Sequence, residues 1–127
     1  MKLISYICAV KEENKRLRTI LYTDEFNEFY SELDERTKLK FKENVSVLET
    51  IYVLSTKFIK RLTNTDLYEL RVSVGTNEYR TILFAVNHKN IIQSTEIVFL
   101  NGFLKKSTKD YDKQIKKAVK ILNDLAL

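Results

Sequence analysis

The sequence has no proline and no tryptophan, and it contains only two glycines, one cysteine and one histidine among 127 residues. Because Cys8 is the single cysteine, no disulfide can form within the chain, and a zinc site of cysteine and histidine ligands is disfavoured. Gly75 and Gly102 lie far apart, so the chain has no glycine-rich loop to hold phosphates. The scarcity of proline and glycine also disfavours a long flexible linker, and the length fits one domain spanning residues 1–127.

An apolar run near the N-terminus, Leu3–Val10, is eight residues long. It is much shorter than the roughly 20 residues that cross a bilayer, and the charged segment Lys11–Glu13 follows it without a cleavage region typical of signal peptides. We therefore expect this run to form a buried or edge strand, with Cys8 packed as a small apolar residue. The same features predict a cytoplasmic protein with no membrane partner.

Positive charge is concentrated in the second half of the chain. The net charge is +5. Residues 1–56 carry nine Lys/Arg against ten Asp/Glu, whereas residues 57–127 carry thirteen against seven. This asymmetry suits contact with phosphate groups, although solvated lysines on a helix would produce the same count.

Helical periodicity appears in three places. Between residues 24 and 54, two apolar stripes at helical spacing predict two consecutive helices packed as a hairpin; their positions are Phe26, Phe29, Tyr30 and Leu33, then Phe41, Val45, Leu48 and Tyr52. Thr23-Asp24 and Asp34 are suited to cap these helices. A third helix is predicted after Ser107 or Thr108, with an apolar stripe that runs from Ile115 to Ala126.

From Thr63 the apolar period changes to two, which is typical of strands. Strands are predicted at Tyr68–Val74 and Tyr79–Val86 and in the run Ile91–Leu100, and Thr19–Tyr22 is also β-prone. Turns are expected at Gly75–Asn77 and Asn87–Asn90, and Asn101-Gly102 is expected to end the third run. These elements predict an α+β fold, a small antiparallel sheet with two N-terminal helices and a C-terminal helix, in which the helices share one face and the other face is open.

Cationic side chains gather on the predicted strands. Arg71 lies with Glu69 on the polar face of its strand, and Arg80 is expected near Arg71 across the hairpin. Lys105 and Lys106 follow the third strand, and aromatic rings stand beside these cations at Tyr68, Tyr79 and Phe103. Cations beside stackable rings are what a single-stranded RNA site requires. Surface ion pairs between Glu69 and the two arginines, with exposed lysines, would give the same pattern.

Three ordered segments carry a family resemblance: Leu67–Arg71, Tyr79-Arg80, and Leu100–Lys106, whose sequence is LNGFLKK. Together they resemble the phage-derived branch of the RelE/HigB-like toxins of type II toxin–antitoxin systems. The likeness covers about residues 19–125 and leaves residues 1–18 as an N-terminal extension. It departs from the family pattern at Asn101, where a histidine is usual.

The resemblance implies a toxin that acts as a metal-independent endoribonuclease on ribosome-bound mRNA and needs no cofactor. It assigns catalysis to Arg71, Arg80, Lys105 and Lys106, and RNA binding to Glu69, Tyr79 and Phe103. With His88 as the only histidine, a mechanism that uses paired histidines is impossible. The expected partners are a cognate antitoxin, mRNA and the ribosome, and a homodimer is allowed.

Two rival functions remain open at this stage. One is a ParE-like toxin, which shares the fold but does not cleave RNA. The other is an inactive phage-derived module that only binds an antitoxin. Under the nuclease hypothesis, an Arg80→Ala variant is expected to fold normally and lose activity.

Overall fold

The computed structural model describes residues 16–126, so the expectations for Leu3–Val10 and Cys8 lie outside the described residues. Within this range the chain forms three helices and five strands. In chain order they are β1 Thr19–Tyr22, α1 Asp24–Ser31, α2 Glu35–Thr50, β2 Ile59–Arg61, β3 Leu67–Val74, β4 Asn77–Ala85, β5 Glu96–Leu104 and α3 Thr108–Leu125.

Each helix begins at a capping residue that the sequence indicates. The side-chain oxygens of Thr23, Asp34 and Ser107 accept hydrogen bonds from backbone N–H groups three residues later, at 3.1, 2.8 and 3.1 Å. Such caps satisfy donors that the first helical turn would otherwise leave unpaired. Helices α1 and α2 pack as the expected hairpin, with the ring of Phe41 against those of Phe26 and Phe29.

The five strands form one sheet in the order β1-β5-β4-β3-β2. The hairpin of β3 and β4 is confirmed, with Gly75 in the left-handed conformation at its turn. The sheet is mixed and not wholly antiparallel, because β1 runs parallel to β5. Parallel strands need a long crossover connection, which the helices and strands between β1 and β5 provide.

Strands β2 and β5 differ most from the sequence-based expectation. β2 is only three residues long, too short to display a period of two. β5 begins later than expected and continues through Asn101 and Gly102, whereas Ile91–Thr95 belongs to the preceding loop. A β-bulge explains the continuation: Asn101 lies opposite Ile82 and Phe99 opposite Leu83, so Leu100 is an extra residue.

Helices cover both faces of the sheet, so the expectation of one open face is wrong. One face packs Leu70, Val72, Leu83 and Phe99 against α1 and α2. The other packs residues of β4 and β5 against α3; the main contacts are Ile82, Val98, Leu100, Ala118 and Ile121. The cause is visible in β4 and β5, where neighbouring residues are apolar on both faces, as in strands buried on both sides.

A buried arginine connects the end of α2 to the loop before β5. Arg18 is 1% exposed. Its Nε donates to the carbonyl of Ile91, and its Nη1 and Nη2 donate to four further carbonyls at 2.7–2.8 Å, those of Leu48, Ile51, Tyr52 and Ile92. All five guanidinium N–H groups thus have acceptors. Burial lowers the pKa of Arg18, and the carbonyl dipoles take the place of a carboxylate partner.

Arg18→Met should lower the free energy of unfolding by about 3 kcal/mol, because five buried carbonyls lose a charged donor. Arg16→Met is the matched control: the Arg16 side chain is 74% exposed and pairs with Glu49 on the surface, so its loss should cost less than about 1 kcal/mol. Urea denaturation measures both changes. Equal losses of stability in the two variants would contradict a structural role for the five Arg18 hydrogen bonds.

Gly102→Ala should destabilise the protein by about 2 kcal/mol, because a methyl group at this position would overlap the ring of Phe29. Phe29→Leu should cost less in the Gly102→Ala background than in the wild type, since the smaller side chain frees the space that the methyl group needs. Thermal denaturation of the four proteins of this cycle tests the overlap. Additive losses would show that the two residues do not interfere.

Candidate functional site

Two arginines and a glutamate form the centre of the candidate site. The register of the β3–β4 hairpin places Arg71 directly opposite Arg80, as the sequence suggests. Glu69, two residues earlier on the same face, brings its Oε1 within 3.0 Å of Arg71 Nε and 3.7 Å of Arg80 Nε. Like charges directly opposite each other destabilise a strand pair. The carboxylate of Glu69, which is 2% exposed, offsets that repulsion.

Arg80 is held from a second side by Glu78. Its Nη1 lies 3.3 Å from Glu78 Oε2 and donates to its neighbour's carbonyl, that of Tyr79. The Ser73 hydroxyl donates to the same Glu78 oxygen at 2.6 Å and is the main cause that lowers the pKa of Glu78, with Arg80 lowering it further. Arg80 is only 6% exposed. Its positive charge therefore lies beneath the surface, where it is paired with carboxylates and is not a free surface cation.

Tyr111 joins this cluster from α3. Its hydroxyl donates to the second oxygen of Glu69, Oε2. Burial raises the pKa of Tyr111, and the bond to Glu69 and its negative charge raise it further, against an opposing effect of the two arginines. The ammonium of Lys105 lies 5.5 Å from the centre of the Tyr111 ring, a distance typical of cation–π contacts.

A groove of about 340 Å³ opens over this cluster, between β2 and the first turns of α3. Its charged and aromatic lining consists of Lys60, Arg61, Glu69, Arg71, Lys105 and Tyr111. The Arg71 side chain is 33% exposed, and Lys60 and Lys105 are exposed. The groove is therefore a cationic surface above a buried carboxylate.

The structure brings together four of the residues that the sequence singles out, namely Glu69, Arg71, Arg80 and Lys105. Lys106 is exposed and lies outside the groove lining. Tyr79 lies on the opposite face of the sheet, where its ring packs against those of Phe29 and Phe41.

The ring of Phe103 is buried with α3, 6.0 Å from the ring of Tyr111. The expected stacking of RNA bases on Phe103 does not fit this burial. Tyr111 is the aromatic residue that lines the groove.

Three lining residues were absent from the sequence-based set. Lys60 and Arg61 lie on β2, and Lys60 is paired with Glu69 across the strands. Their signal in the sequence is a basic pair between Ile59 and Leu62, which is too short to predict a strand. Tyr111 lies 42 residues from Glu69 along the chain, and no local pattern connects the two.

Other types of site find little support in the part of the chain that the structure describes. No group of three or more His, Cys, Asp or Glu residues between 16 and 126 is placed to hold a metal ion. His88 lies in an exposed loop, where its Nδ1 accepts a hydrogen bond from the N–H of Asn90. Across the same residues, no helix combines the length and apolar character needed to span a bilayer.

Comparison with protein families places this geometry in context. The model of the family described as "Phage derived protein Gp49-like" matches residues 28–123, which is most of the chain. The chain belongs to this Gp49-like family. No curated protein matches the sequence significantly.

Among solved structures, a mutant of the E. coli toxin RelE in the free state matches with a TM-score of 0.54 and 13% identity. The match covers 80% of the Gp49-like chain and 97% of the RelE chain. At this identity the likeness establishes the fold. The RelE-like α+β fold and the resemblance to the RelE/HigB-like superfamily are both confirmed.

Glu69→Leu should lower the free energy of unfolding by about 3 kcal/mol, because it leaves the buried guanidinium of Arg80 without its internal carboxylate. Glu78→Gln is the control on the exposed side of the same arginine and should cost less than about 1 kcal/mol, since the Glu78 side chain is 46% exposed. Replacing Arg80 by Met in the Glu69→Leu background should recover stability. Urea denaturation that shows no recovery would contradict a buried ion pair.

Proposed function

We propose that this Gp49-like protein is the toxin of a type II toxin–antitoxin pair and cleaves mRNA on the ribosome. The observation that carries the proposal is the single groove in which Arg71, Lys60 and Lys105 stand over the buried pair of Glu69 and Arg80. The RelE-like fold supports it, because the similar E. coli protein, RelE, is a toxin. The proposed partners are a cognate antitoxin, mRNA and the ribosome; the homodimer and the cytoplasmic location remain predictions.

The groove offers the charge that RNA cleavage requires. In this proposal the 2′-oxygen attacks the neighbouring phosphorus, the bond from phosphorus to the 5′-oxygen breaks, and a proton moves from the 2′-hydroxyl to the leaving oxygen by way of a base and an acid. The accessible guanidinium of Arg71 matches the oxygens of a pentacovalent phosphate. Arg80 adds positive potential from behind it.

Lys105 is the proposed general acid. Its ammonium lies over the Tyr111 ring at the groove wall, where it can donate to a leaving oxygen. Lys106 lies outside the groove lining and is assigned to binding phosphates of the RNA that flank the cleaved linkage. Neither role calls for a metal ion.

Arg71 provides a sharper test than Arg80. The sequence suggests Arg80→Ala as a variant that folds normally, but the buried Arg80 pairs with both Glu69 and Glu78. Loss of Arg80 would remove one of the two positive charges beside the buried Glu69 carboxylate, and it would therefore lower the stability of the protein. Arg71 is more exposed, so its replacement separates activity from folding.

Induced expression of Arg71→Gln in a bacterial host should abolish the growth arrest that the wild type causes, since losing one transition-state contact costs about 10²–10³-fold in rate. Arg36→Gln is the matched control, with the same change of charge at an exposed position on α2, across the sheet from the groove. Mapping of mRNA 5′ ends after induction measures the cleavage directly.

Three outcomes of this experiment are informative. New 5′ ends with the wild type and Arg36→Gln, but not with Arg71→Gln, support the nuclease. Growth arrest without new 5′ ends would contradict it and favour a ParE-like target. No growth arrest when the wild type is expressed without any antitoxin would contradict the toxin hypothesis and favour an inactive antitoxin-binding module.

A further inference from the structure

The two oxygens of the Glu69 carboxylate have different partners. Oε1 faces the Nε groups of Arg71 and Arg80, whereas Oε2 accepts from the hydroxyl of Tyr111. The three partners approach from β3, β4 and α3, so the orientation of the carboxylate sets which oxygen faces each of them. Glu69 is a hydrogen-bond partner of Arg71 and the buried charge that faces Arg80 Nε, whereas Arg80 Nη1 bonds to Glu78 and to the Tyr79 carbonyl.

We propose that Tyr111 is a positioning residue of this site, which fixes the orientation of Glu69 and through it the position of Arg71 and the placement of negative charge beside Arg80. The catalytic consequence rests on the proposed function. The positioning itself concerns the protein alone and can be measured without RNA.

The distances indicate that Arg80 does not hold Glu69 in place by itself. Arg80 Nε lies 3.7 Å from Glu69 Oε1, and it has no hydrogen-bond partner among the described residues although it is buried. Arg71 Nε, at 3.0 Å, makes a true hydrogen bond, but its side chain is partly exposed and can move into solvent. The bond from Tyr111 is thus the contact that anchors the carboxylate from inside the protein.

The chemistry of the pair favours this role. An ionised carboxylate can only accept hydrogen bonds, so the phenol is the donor, as a tyrosine of ordinary pKa also is at neutral pH. The ring of Tyr111 packs against the ring of Phe103 and is contacted by the ammonium of Lys105. A hydroxyl on a fixed ring defines a fixed point in space for the carboxylate.

Tyr111→Phe removes the hydroxyl and retains the ring. The Nε–H signal of Arg71 should then exchange with solvent about ten-fold faster, as expected for the loss of a hydrogen bond to a charged group, and the Nε–H signal of Arg80, 3.7 Å from the same oxygen, should change its chemical shift. In RNA cleavage, kcat should fall about ten-fold with little change in KM, because binding cations remain but the transition-state contact is misplaced. NMR exchange and steady-state kinetics measure the two effects.

Tyr68→Phe is the matched control. Its hydroxyl also makes hydrogen bonds, donating to the carbonyl of Lys89 and accepting from the N–H of Ile91, but on the opposite face of the sheet. It should lower stability without changing the arginine signals or the ratio of kcat to KM. If Tyr68→Phe and Tyr111→Phe change the arginine signals and the kinetic constants equally, Tyr111 only contributes to stability in general, and the proposal is overturned.

Glu69→Gln supplies an independent test through a double-mutant cycle. If Tyr111 acts through Glu69, the double variant should change the Nε–H signals of the arginines little more than Glu69→Gln alone does. Additive effects would overturn the proposal. If the wild type cleaves no RNA and the cycle is nevertheless non-additive, the nuclease proposal fails while the positioning of the arginines stands.

Discussion

A single carboxylate in the middle of β3 faces two guanidinium groups and a phenol hydroxyl. Burying a carboxylate is unfavourable unless its oxygens find donors. Glu69 accepts hydrogen bonds from Arg71 on β3 and Tyr111 on α3, and the guanidinium of Arg80 on β4 lies 3.7 Å away. The hairpin register that brings Arg71 and Arg80 face to face would be repulsive without this carboxylate. The concentration of positive charge at this site is thus tolerated because one negative charge lies beneath it.

The double covering of the sheet explains why the site is a groove. Helix α3 packs on the face from which Glu69 and the arginines project, with Ala118 and Ile121 over β4 and β5. It leaves the β2 side of that face accessible, where Lys60 and Lys105 both line the opening. A fully open sheet would leave Glu69 hydrated and its arginines mobile, whereas full covering would exclude a substrate. Partial covering combines a buried anchor with accessible cations.

The sequence predicts the local parts of this arrangement and not the long-range ones. Capping residues fix the helix starts, and a period of two with a glycine turn fixes the β3–β4 register, so the approach of Arg71 to Arg80 was predictable. The three-residue β2 carries no period, and the bulge at Leu100 lets β5 run through Asn101 and Gly102. The contact of Tyr111 with Glu69 depends on how α3 docks, which the apolar stripe of a helix does not specify.

Position 101 shows how the chemistry of this site differs from that implied by the family resemblance, where a histidine is usual. Asn101 is buried, and its amide donates to the backbone and side chain of Gln114 on α3. It therefore fastens β5 to the helix. The only histidine, His88, lies in a loop outside the groove lining. No imidazole lines this groove, so under the proposed function proton transfer relies on the ammonium of Lys105 and not on histidine.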